Sequence, residues 1–511
     1  MLLFERAAML EILQILTISG MIGATFLVYQ ALGPRRQTFT YTREEKKAWD
    51  RFTSGALGDW LTSCNIFASI TSLATVYVFF IGNTPKFGWW ILFPIITIWA
   101  GAFVTNYITR QLIGKPNVAA KLAAGDQSVG VILTLFLDGA KSGLRAAAIV
   151  RSVTIINILA ILWMEFSVFA DLSSQMIWSG SVFGGAILIF LCSFAIIYFT
   201  VRCGLRGFVF ADLFQCPLMA TASLSLLIGT VVVLGRAHLY EYTTNQSLID
   251  ALSVQFFAPE VSWVQGGSFA LSCVFINSFL ILVTQPHWLR VWMFGEKEIR
   301  LQVRSLSMTC AVWLLLILVG SLAAVMLPDA AQTDTTTNVV LAFLRRLTEI
   351  SPLFAVAFWV AGMAALFSIS RNQIYSFFLI KYFDLKKETL SDGPSEFSRA
   401  AVPSAFAAAL FALIYLFVRH VNIPFDSLVV VLLPLCLNIV PGLVLAARGK
   451  PQEPMLLLVS LILYAACALL GLVSHESLLY VAAPLMPMIL SVVAAFYEAK
   501  ETQHVRSFSQ H

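Results

Sequence analysis

Long runs of apolar residues, separated by short polar stretches, dominate the pattern along the whole chain. A helix needs about 20 mostly apolar residues to cross a bilayer, and thirteen runs are close to or above that length. They cover residues 9–32, 56–81, 88–109, 149–172, 180–200, 208–235, 266–285, 306–328, 352–380, 401–419, 426–447, 454–472 and 477–498. A transmembrane β-barrel would instead show strands of about ten residues with alternating polarity. The pattern therefore predicts an all-α polytopic membrane protein.

Composition narrows the class further, since 59% of the 511 residues are hydrophobic and only 12% are charged. Disordered chains combine low hydrophobicity with high charge, and a soluble protein of this size needs more charges, so both classes are excluded. The 8 cysteines lie mostly inside apolar runs, which indicates buried thiols rather than disulfides or a metal set. We expect a single membrane domain over residues 1–511.

The basic residues predict the orientation. With the N-terminus outside, 26 of the 33 Lys and Arg residues fall in inner loops and 6 in outer loops, which leaves Arg371 within a span. Cytoplasmic loops carry the excess of positive charge, so the count predicts an outer N-terminus and a cytoplasmic C-terminus in a bacterial-type plasma (inner) membrane. A net charge of +5 does not indicate nucleic acid as a partner, whereas membrane lipid is an expected one.

Two segments carry polar residues at mid-span. Seven of the twelve residues from Leu61 to Ser72 in segment 2 are polar or cysteine, and segment 7 carries Ser272, Cys273, Asn277 and Ser278. Transporters place broken helices at this depth, where freed backbone groups line a cavity. The alternative is that these hydroxyls bond to their own helix or to a neighbouring helix.

The spacing of these two segments predicts a repeat. They lie five segments apart, as expected for an inverted repeat. We expect one five-helix repeat at 56–235 and a second at 266–447. One extra helix at 9–32 precedes them, two C-terminal helices follow at 454–498, and a cytoplasmic tail covers 499–511.

Ionisable residues within the spans are few: Glu165 in segment 4, Asp212 in segment 6 and Arg371 in segment 9. A charge at membrane depth is costly, so each requires a partner or water and is a functional candidate. A structural ion pair that only fixes helix packing is the alternative. Arg371 and Asp212 fall at similar depth, which predicts a charge pair between them.

Four stretches resemble the sodium/solute symporter family, and its proline-permease-like branch in particular. Tyr198 to Gln215 resembles the family signature of a Tyr, a Gly-Gly-Leu and a Thr-Asp-x-x-Gln, although Cys203 replaces the first Gly and Ala211 the Thr. The run 285–289, Gln-Pro-His-Trp-Leu, is similar to a Gln-Pro-His stretch of that branch. Ala68-Ser69-x-x-Ser72 and Ala364-Ala365-x-x-Ser368 are similar to the sodium-site helices.

The resemblance implies the leucine-transporter fold, two inverted five-helix repeats that work by alternating access. It implies a sodium site formed by Ala68 and Thr71 of segment 2 with Ala365, Ser368 and residue 369 of segment 9. The family has two adjacent hydroxyls here, whereas this chain has Ser368-Ile369.

The lost hydroxyl suggests a different arrangement. Arg371 follows Ser368 by three residues on the same helical face. We expect its guanidinium, paired with Asp212, to substitute for the sodium ion or to block its exit. Sodium binding with fewer ligands, or with Thr71 or Ser370 helping, is the alternative.

These observations together predict a secondary transporter of a small organic solute such as an amino acid or a carboxylate. The predicted solute-binding residues are Asn65, Ser69, Ser72, Glu165, Trp263, Ser272, Asn277 and Asn372. The broken half-helix of segment 2 should present backbone N–H groups to an anionic group of the solute. Glu165 is a candidate proton carrier, which makes sodium ion or proton the possible coupling ion and no other cofactor expected.

The alternative function is that of a membrane solute sensor, a degenerate transporter that signals to a separate partner protein. Enzymatic function is not expected, because the spans carry no H-E-x-x-H, G-x-S-x-G or P-loop pattern.

Overall fold

A computed structural model gives the architecture. It describes residues 54–116, 141–178, 180–241, 261–327, 336–383, 396–421, 431–447 and 454–474, most positions within 12–27 and 482–493, and the single positions 119 and 256. The apolar stretch at 129–137, which is too short to span and which the sequence predicts to be an interfacial helix, lies outside the described residues, as do the loop at 33–53 and the tail at 499–511.

The described chain consists of helices joined by short connections. In chain order they are α1 Ala56–Ile70, a π-helical segment Leu73–Val78, α2 Phe79–Phe87, a 3₁₀ segment Gly88–Leu92, α3 Phe93–Ile113, α4 Lys141–Ile177, α5 Val182–Glu241, α6 Trp263–Val283, α7 Gln285–Phe294, α8 Glu296–Met326, α9 Thr336–Ile350, α10 Pro352–Phe383, α11 Glu396–Val421, a 3₁₀ segment Leu433–Ile439, α12 Val440–Ala447 and α13 Pro454–Ser474.

Within the described part of the chain, nine helical stretches are long and apolar enough to cross a membrane. Two shorter apolar helices, Ile15–Ala24 and Leu433–Ala447, accompany them. The protein is therefore an integral membrane protein, as predicted. The count of thirteen spans stays a prediction, because parts of segments 1, 11 and 13 fall outside the described residues. The division into two repeats also stays a prediction.

Segments 5 and 6 are joined without a loop. The backbone of α5 is helical from Val182 to Glu241, and its two apolar parts, Val182–Thr200 and Phe210–Gly235, are separate candidate spans. A straight helix of this length would extend about 90 Å, three times the roughly 30 Å of a bilayer core. We therefore treat the two apolar parts as two spans. The side chains of 201–209, including Cys203 of the family-like signature, are outside the described set.

Helix α9 is an element that the apolar-run count did not predict. It is amphipathic, and Val339, Val340, Phe343, Leu344 and Leu347 are buried on one face. Their spacing follows the helical period, which is the signal that could have identified it. Because α9 packs against α2, α4 and α10, it covers one end of the interrupted helix.

Two sets of helices pack around a common core. In one set α8 packs on α1, α2 and α3, and α6 packs on α3. In the other set α5 packs on α10, α11 and α4. The π-helical segment after α1 touches α4, α9 and α10, so the interruption in segment 2 lies where the two sets meet.

The α3–α6 contact requires glycine at position 101. A Cβ atom built on Gly101 would lie 2.3 Å from the backbone oxygen of Asn277 in α6. We predict that Gly101→Ala lowers the unfolding midpoint by the equivalent of about 1–3 kcal/mol, because overpacking forces the two helices apart. Thermal unfolding of the purified protein measures it.

Gly267→Ala is the matched control, since this helical glycine has nothing within 4 Å of its Cβ position. It should leave the midpoint unchanged or raise it through better helix propensity. Equal effects of the two substitutions would contradict the close approach of α3 and α6.

Candidate functional site

The helix of segment 2 is interrupted at Thr71 and Ser72. Helix α1 ends at Ile70, Thr71 is extended with φ −88° and ψ 119°, and Ser72 is extended with φ −127° and ψ 162°. The sequence favours a break here because Ser and Thr hydroxyls compete for backbone groups. Ser72 uses its hydroxyl in this way, accepting from the backbone N–H of Thr75 at 2.9 Å.

Glu165 of α4 binds the start of the half-helix that follows the interruption. Its Oε2 accepts from the backbone N–H of Leu73 at 3.0 Å and from that of Ala74 at 3.1 Å. The carboxylate is 1% exposed and lies at the positive end of the helix dipole. With Ser72 on Thr75, the first three N–H groups of the half-helix are satisfied by this chain's own side chains. The expected contact of these groups with an anionic solute is therefore replaced by Glu165.

The predicted interruption in the middle of segment 7 is not observed. Helix α6 runs from Trp263 to Val283 through Ser272 and Asn277, and the chain breaks at Thr284 with φ −88° and ψ 134°. The polar residues at mid-span bond to a neighbour instead, as in the alternative interpretation. Asn277 donates to Thr97 Oγ1 of α3 at 2.9 Å and to the Pro94 oxygen at 3.3 Å.

Asp212 of α5 forms the centre of a buried polar cluster. Its Oδ1 lies 2.8 Å from Arg371 Nη2 and accepts from Ser368 Oγ at 2.8 Å, both from α10. Its Oδ2 accepts from Asn65 Nδ2 of α1 at 2.6 Å. Arg371 also donates to Gln215 Oε1 at 2.5 Å. The cluster joins α1, α5 and α10 through side chains that are almost completely buried.

This cluster bears on whether sodium fits between α1 and α10. Sodium requires several oxygen ligands, and the Ser368 hydroxyl is committed to Asp212 while residue 369 offers no hydroxyl. Arg371 already neutralises the carboxylate at this position. Thr71 Oγ1 of the expected ligand set and Ser370 Oγ of the alternative are buried and have no partner among the described residues. The donor set fits a guanidinium better than it fits sodium.

A second buried charge cluster lies at the end of α1, just before the interruption. Arg290 Nε donates to Glu298 Oε1 at 2.9 Å, and Arg290 Nη1 donates to Ser69 Oγ at 2.6 Å. His287 Nδ1 lies 3.4 Å from Glu298 Oε1, and its Nε2 is 3.0 Å from Thr109 Oγ1. The cluster joins α1, α3, α7 and α8. Burial lowers the pKa of His287, so its imidazole is neutral at neutral pH.

His287 and Arg290 follow predicted segment 7 and fall in a stretch that the span pattern leaves as an inner loop, whereas the structure places both on helix α7. Both are buried on α7, at 0% and 2% exposure. The available signal was the apolar pattern around them, since Trp288, Leu289 and Val291 are also buried. Such a run favours a packed helix over a solvated loop.

Asp171 at the end of segment 4 was also missed. It accepts a hydrogen bond from the Tyr415 hydroxyl at 2.8 Å and forms an ion pair with Arg419, so it fixes α4 to α11.

The remaining predicted solute-binding residues do not gather at one place. Asn372 is buried beside the Asp212 cluster, and its Nδ2 donates to the Ser368 oxygen at 3.0 Å. Ser272 is half-buried on α6. Trp263 is 76% exposed and packs on Trp89 and Trp90. These two tryptophans follow Ser72 by several helical turns, a distance of up to roughly 25 Å. Ser69, Ser72 and Glu165 thus lie at the interruption and Asn65 and Asn372 at the Asp212 cluster, whereas Trp263 and Asn277 lie elsewhere.

No protein-family model matches the sequence, and no curated protein sequence matches it. Solved structures do match. A Na⁺-coupled sialic acid symporter in a substrate-bound outward-open state has a TM-score of 0.66 at 14% identity, over 94% of this chain and 96% of that chain. The chain has the leucine-transporter fold. This confirms the predicted fold class, and at such low identity it establishes the fold alone.

Two further structures match with lower scores. MhsT in complex with L-phenylalanine has a TM-score of 0.48 at 16% identity, over 87% of this chain and 99% of that chain. Mhp1, a nucleobase-cation-symport-1 family transporter, has a TM-score of 0.43 at 12% identity, over 87% and 93%. The narrower assignment to the proline-permease-like branch stays a prediction.

The buried Arg290–Glu298 pair should be energetically coupled. We predict that Arg290→Met or Glu298→Leu alone destabilises the protein by about 3–5 kcal/mol, because each leaves an unpaired buried charge. The double variant should lose less than the sum of the two. A double-mutant cycle on unfolding midpoints in detergent measures the coupling.

The exposed Arg346–Glu349 pair, 2.6 Å apart, is the control. Its removal should cost less than about 1 kcal/mol, because water solvates the remaining charge. Additive effects at Arg290 and Glu298 would show that the pair does not fix α7 on α8.

Proposed function

We propose that this protein is a secondary transporter of a small organic solute, working by alternating access with an outer N-terminus in a bacterial-type inner membrane. The observation that carries the proposal is the helix interruption at Thr71–Ser72, surrounded by buried charged and amide side chains. Burial of such groups in a membrane domain is costly and marks solute or ion pathways. The leucine-transporter fold supports the proposal, since the sialic acid symporter of that fold is Na⁺-coupled.

The solute would bind at the interruption, between α1, α4 and α10. Ser72 and Glu165 lie at the interruption, and Asn65 and Asn372 lie at the Asp212 cluster, all of them buried. Packing of the π-helical segment on α4 and α10 supports this position, because a rocking of one helix set against the other would open and close it.

We propose further that the Arg371 guanidinium serves in place of a sodium ion between α1 and α10. Support comes from its contacts with Asp212 and Gln215 and from the Ser368 hydroxyl bound to the same carboxylate. A fixed cation meets the electrostatic need that a sodium ion would meet. The sequence predicts that the proton is the driving ion and that Glu165 carries it.

A membrane solute sensor acting on a separate partner protein is the second candidate. The proposed substitution of Arg371 for sodium favours it, because a fixed charge cannot travel with the solute. Binding of a solute without its movement would select this function over transport.

The proposed transport is tested in proteoliposomes containing the full chain. Small metabolites that raise its unfolding midpoint would be offered as radiolabelled external solutes. We expect saturable uptake that exceeds that of empty liposomes, faster with an inward proton gradient and unchanged by an inward sodium gradient. Binding without uptake would overturn transport in favour of the sensor. Uptake insensitive to external pH would exclude Glu165 as a proton carrier.

Sodium should not stabilise the wild type. We predict equal unfolding midpoints in sodium and potassium chloride, because Arg371 and Ser368 are both bound to Asp212. The double variant Ile369→Ser/Arg371→Ala restores the hydroxyl and removes the cation, and it should gain a sodium-dependent increase of the midpoint. Ile369→Ala/Arg371→Ala, which lacks the hydroxyl, is the control and should gain less. A sodium-specific increase in the wild type would overturn the substitution.

A further inference from the structure

A broken transmembrane helix exposes two charged ends at mid-membrane. The N-terminus of its second half carries partial positive charge, and the C-terminus of its first half carries partial negative charge. Transporters commonly direct the first at an anionic group of the substrate and use the second to bind a cation. The groups that already bind these two ends therefore indicate which charged groups the solute needs to carry.

In this chain the positive end is already occupied. Glu165 accepts from the N–H groups of Leu73 and Ala74, and the Ser72 hydroxyl accepts from Thr75. The helical run that begins there continues from Leu73 to Phe87. A solute carboxylate at this place would meet no free N–H group among the first three and would be repelled by Glu165.

A cation of the chain itself also lies at the negative end. Arg290 donates to the Ser69 hydroxyl in the last turn of α1, and its guanidinium is 2% exposed. A cation in the last turn of a helix is the favourable arrangement. Both ends of the interruption are thus neutralised by fixed side chains.

Two of the unused polar atoms around the Asp212 cluster are amide acceptors, whereas the Thr71 and Ser370 hydroxyls can donate or accept. Asn65 donates its Nδ2 to Asp212, and Asn372 donates its Nδ2 to the Ser368 oxygen, so each presents its Oδ1 as a free acceptor. Both oxygens are buried and have no partner among the described residues. A buried acceptor without a donor is costly, so these atoms fit a ligand that carries N–H or O–H groups.

We propose that Glu165 takes the position of a substrate carboxylate, and that the solute therefore lacks a carboxylate and is an organic amine or a neutral polar compound with N–H or O–H donors. This inference rests on the proposed solute site and replaces the amino-acid or carboxylate expectation. Glu165 is then the residue that determines specificity against anionic solutes.

Matched pairs of compounds that differ by one carboxylate test the class. Purified full-length protein would be titrated with phenethylamine and L-phenylalanine, pyrrolidine and L-proline, choline and glycine betaine, and nicotinamide and nicotinate, with the unfolding midpoint as readout. In the pairs that bind, we expect the compound without the carboxylate to bind tighter by about tenfold or more, the loss that one unpaired charged group causes. Tighter binding of the carboxylate compound would overturn the proposal.

Variants at Glu165 test the position independently of which solute binds. Glu165→Ala frees the N–H groups of Leu73 and Ala74, so formate should raise its midpoint saturably and leave the wild type unchanged. Glu165→Gln keeps the side-chain volume, and it should show no formate effect while losing the discrimination against carboxylates. If Glu165→Ala does not fold, the Glu165→Gln discrimination decides. If no pair member binds the wild type, the formate response decides.

Formate that fails to stabilise Glu165→Ala, or that stabilises the wild type equally, would overturn the proposal. The outcome is separate from that of transport. Uptake of a carboxylate by the wild type would overturn this inference and leave transport standing, whereas amine binding without uptake would do the reverse.

Discussion

The hydrogen bonds from the N–H groups of Leu73 and Ala74 to Glu165 are the interaction on which the rest of the structure depends. An interrupted helix in an apolar interior leaves backbone donors without partners, and each one costs free energy unless it is satisfied. Glu165 satisfies two of them from α4, a different helix set. These two hydrogen bonds therefore hold the interrupted helix in place and join the two helix sets at the interruption.

Two ion pairs extend this arrangement on either side of α1. Asp212 and Arg371 join α5 to α10, and Asn65 of α1 bonds to the same carboxylate. Arg290 and Glu298 join α7 to α8, and Ser69 of α1 bonds to Arg290. Desolvation makes buried pairs poor contributors to net stability, so their value lies in fixing which groups face each other. In both clusters α1 is held by a polar side chain rather than by a charge of its own.

Much of this site could be predicted from the sequence, and part could not. Polarity in segment 2 identified the interruption, because Ser and Thr hydroxyls at mid-span favour it. Similar polarity in segment 7 did not, since Asn277 bonds to Thr97 across a helix contact. Both segments carry Ser, Cys and Asn at mid-span, and the contact of Asn277 with a neighbouring helix is what the polarity pattern does not show. The burial of His287 and Arg290 was not predicted for the same reason. A pattern of polarity does not show that Arg290 has a buried partner 8 residues further along the chain.

The sequence by itself determined the helical class, the membrane domain and the polar region of segment 2. These follow from run length, composition and local competition for backbone groups, which depend on near neighbours along the chain. The tertiary structure alone decided that Glu165, 92 residues away from Leu73, would bind the open end of the half-helix, and that Ser368 would face Asp212. Electrostatic partners at membrane depth are selected by distance in space, and distance in space is set by the packing of helices that are far apart in sequence.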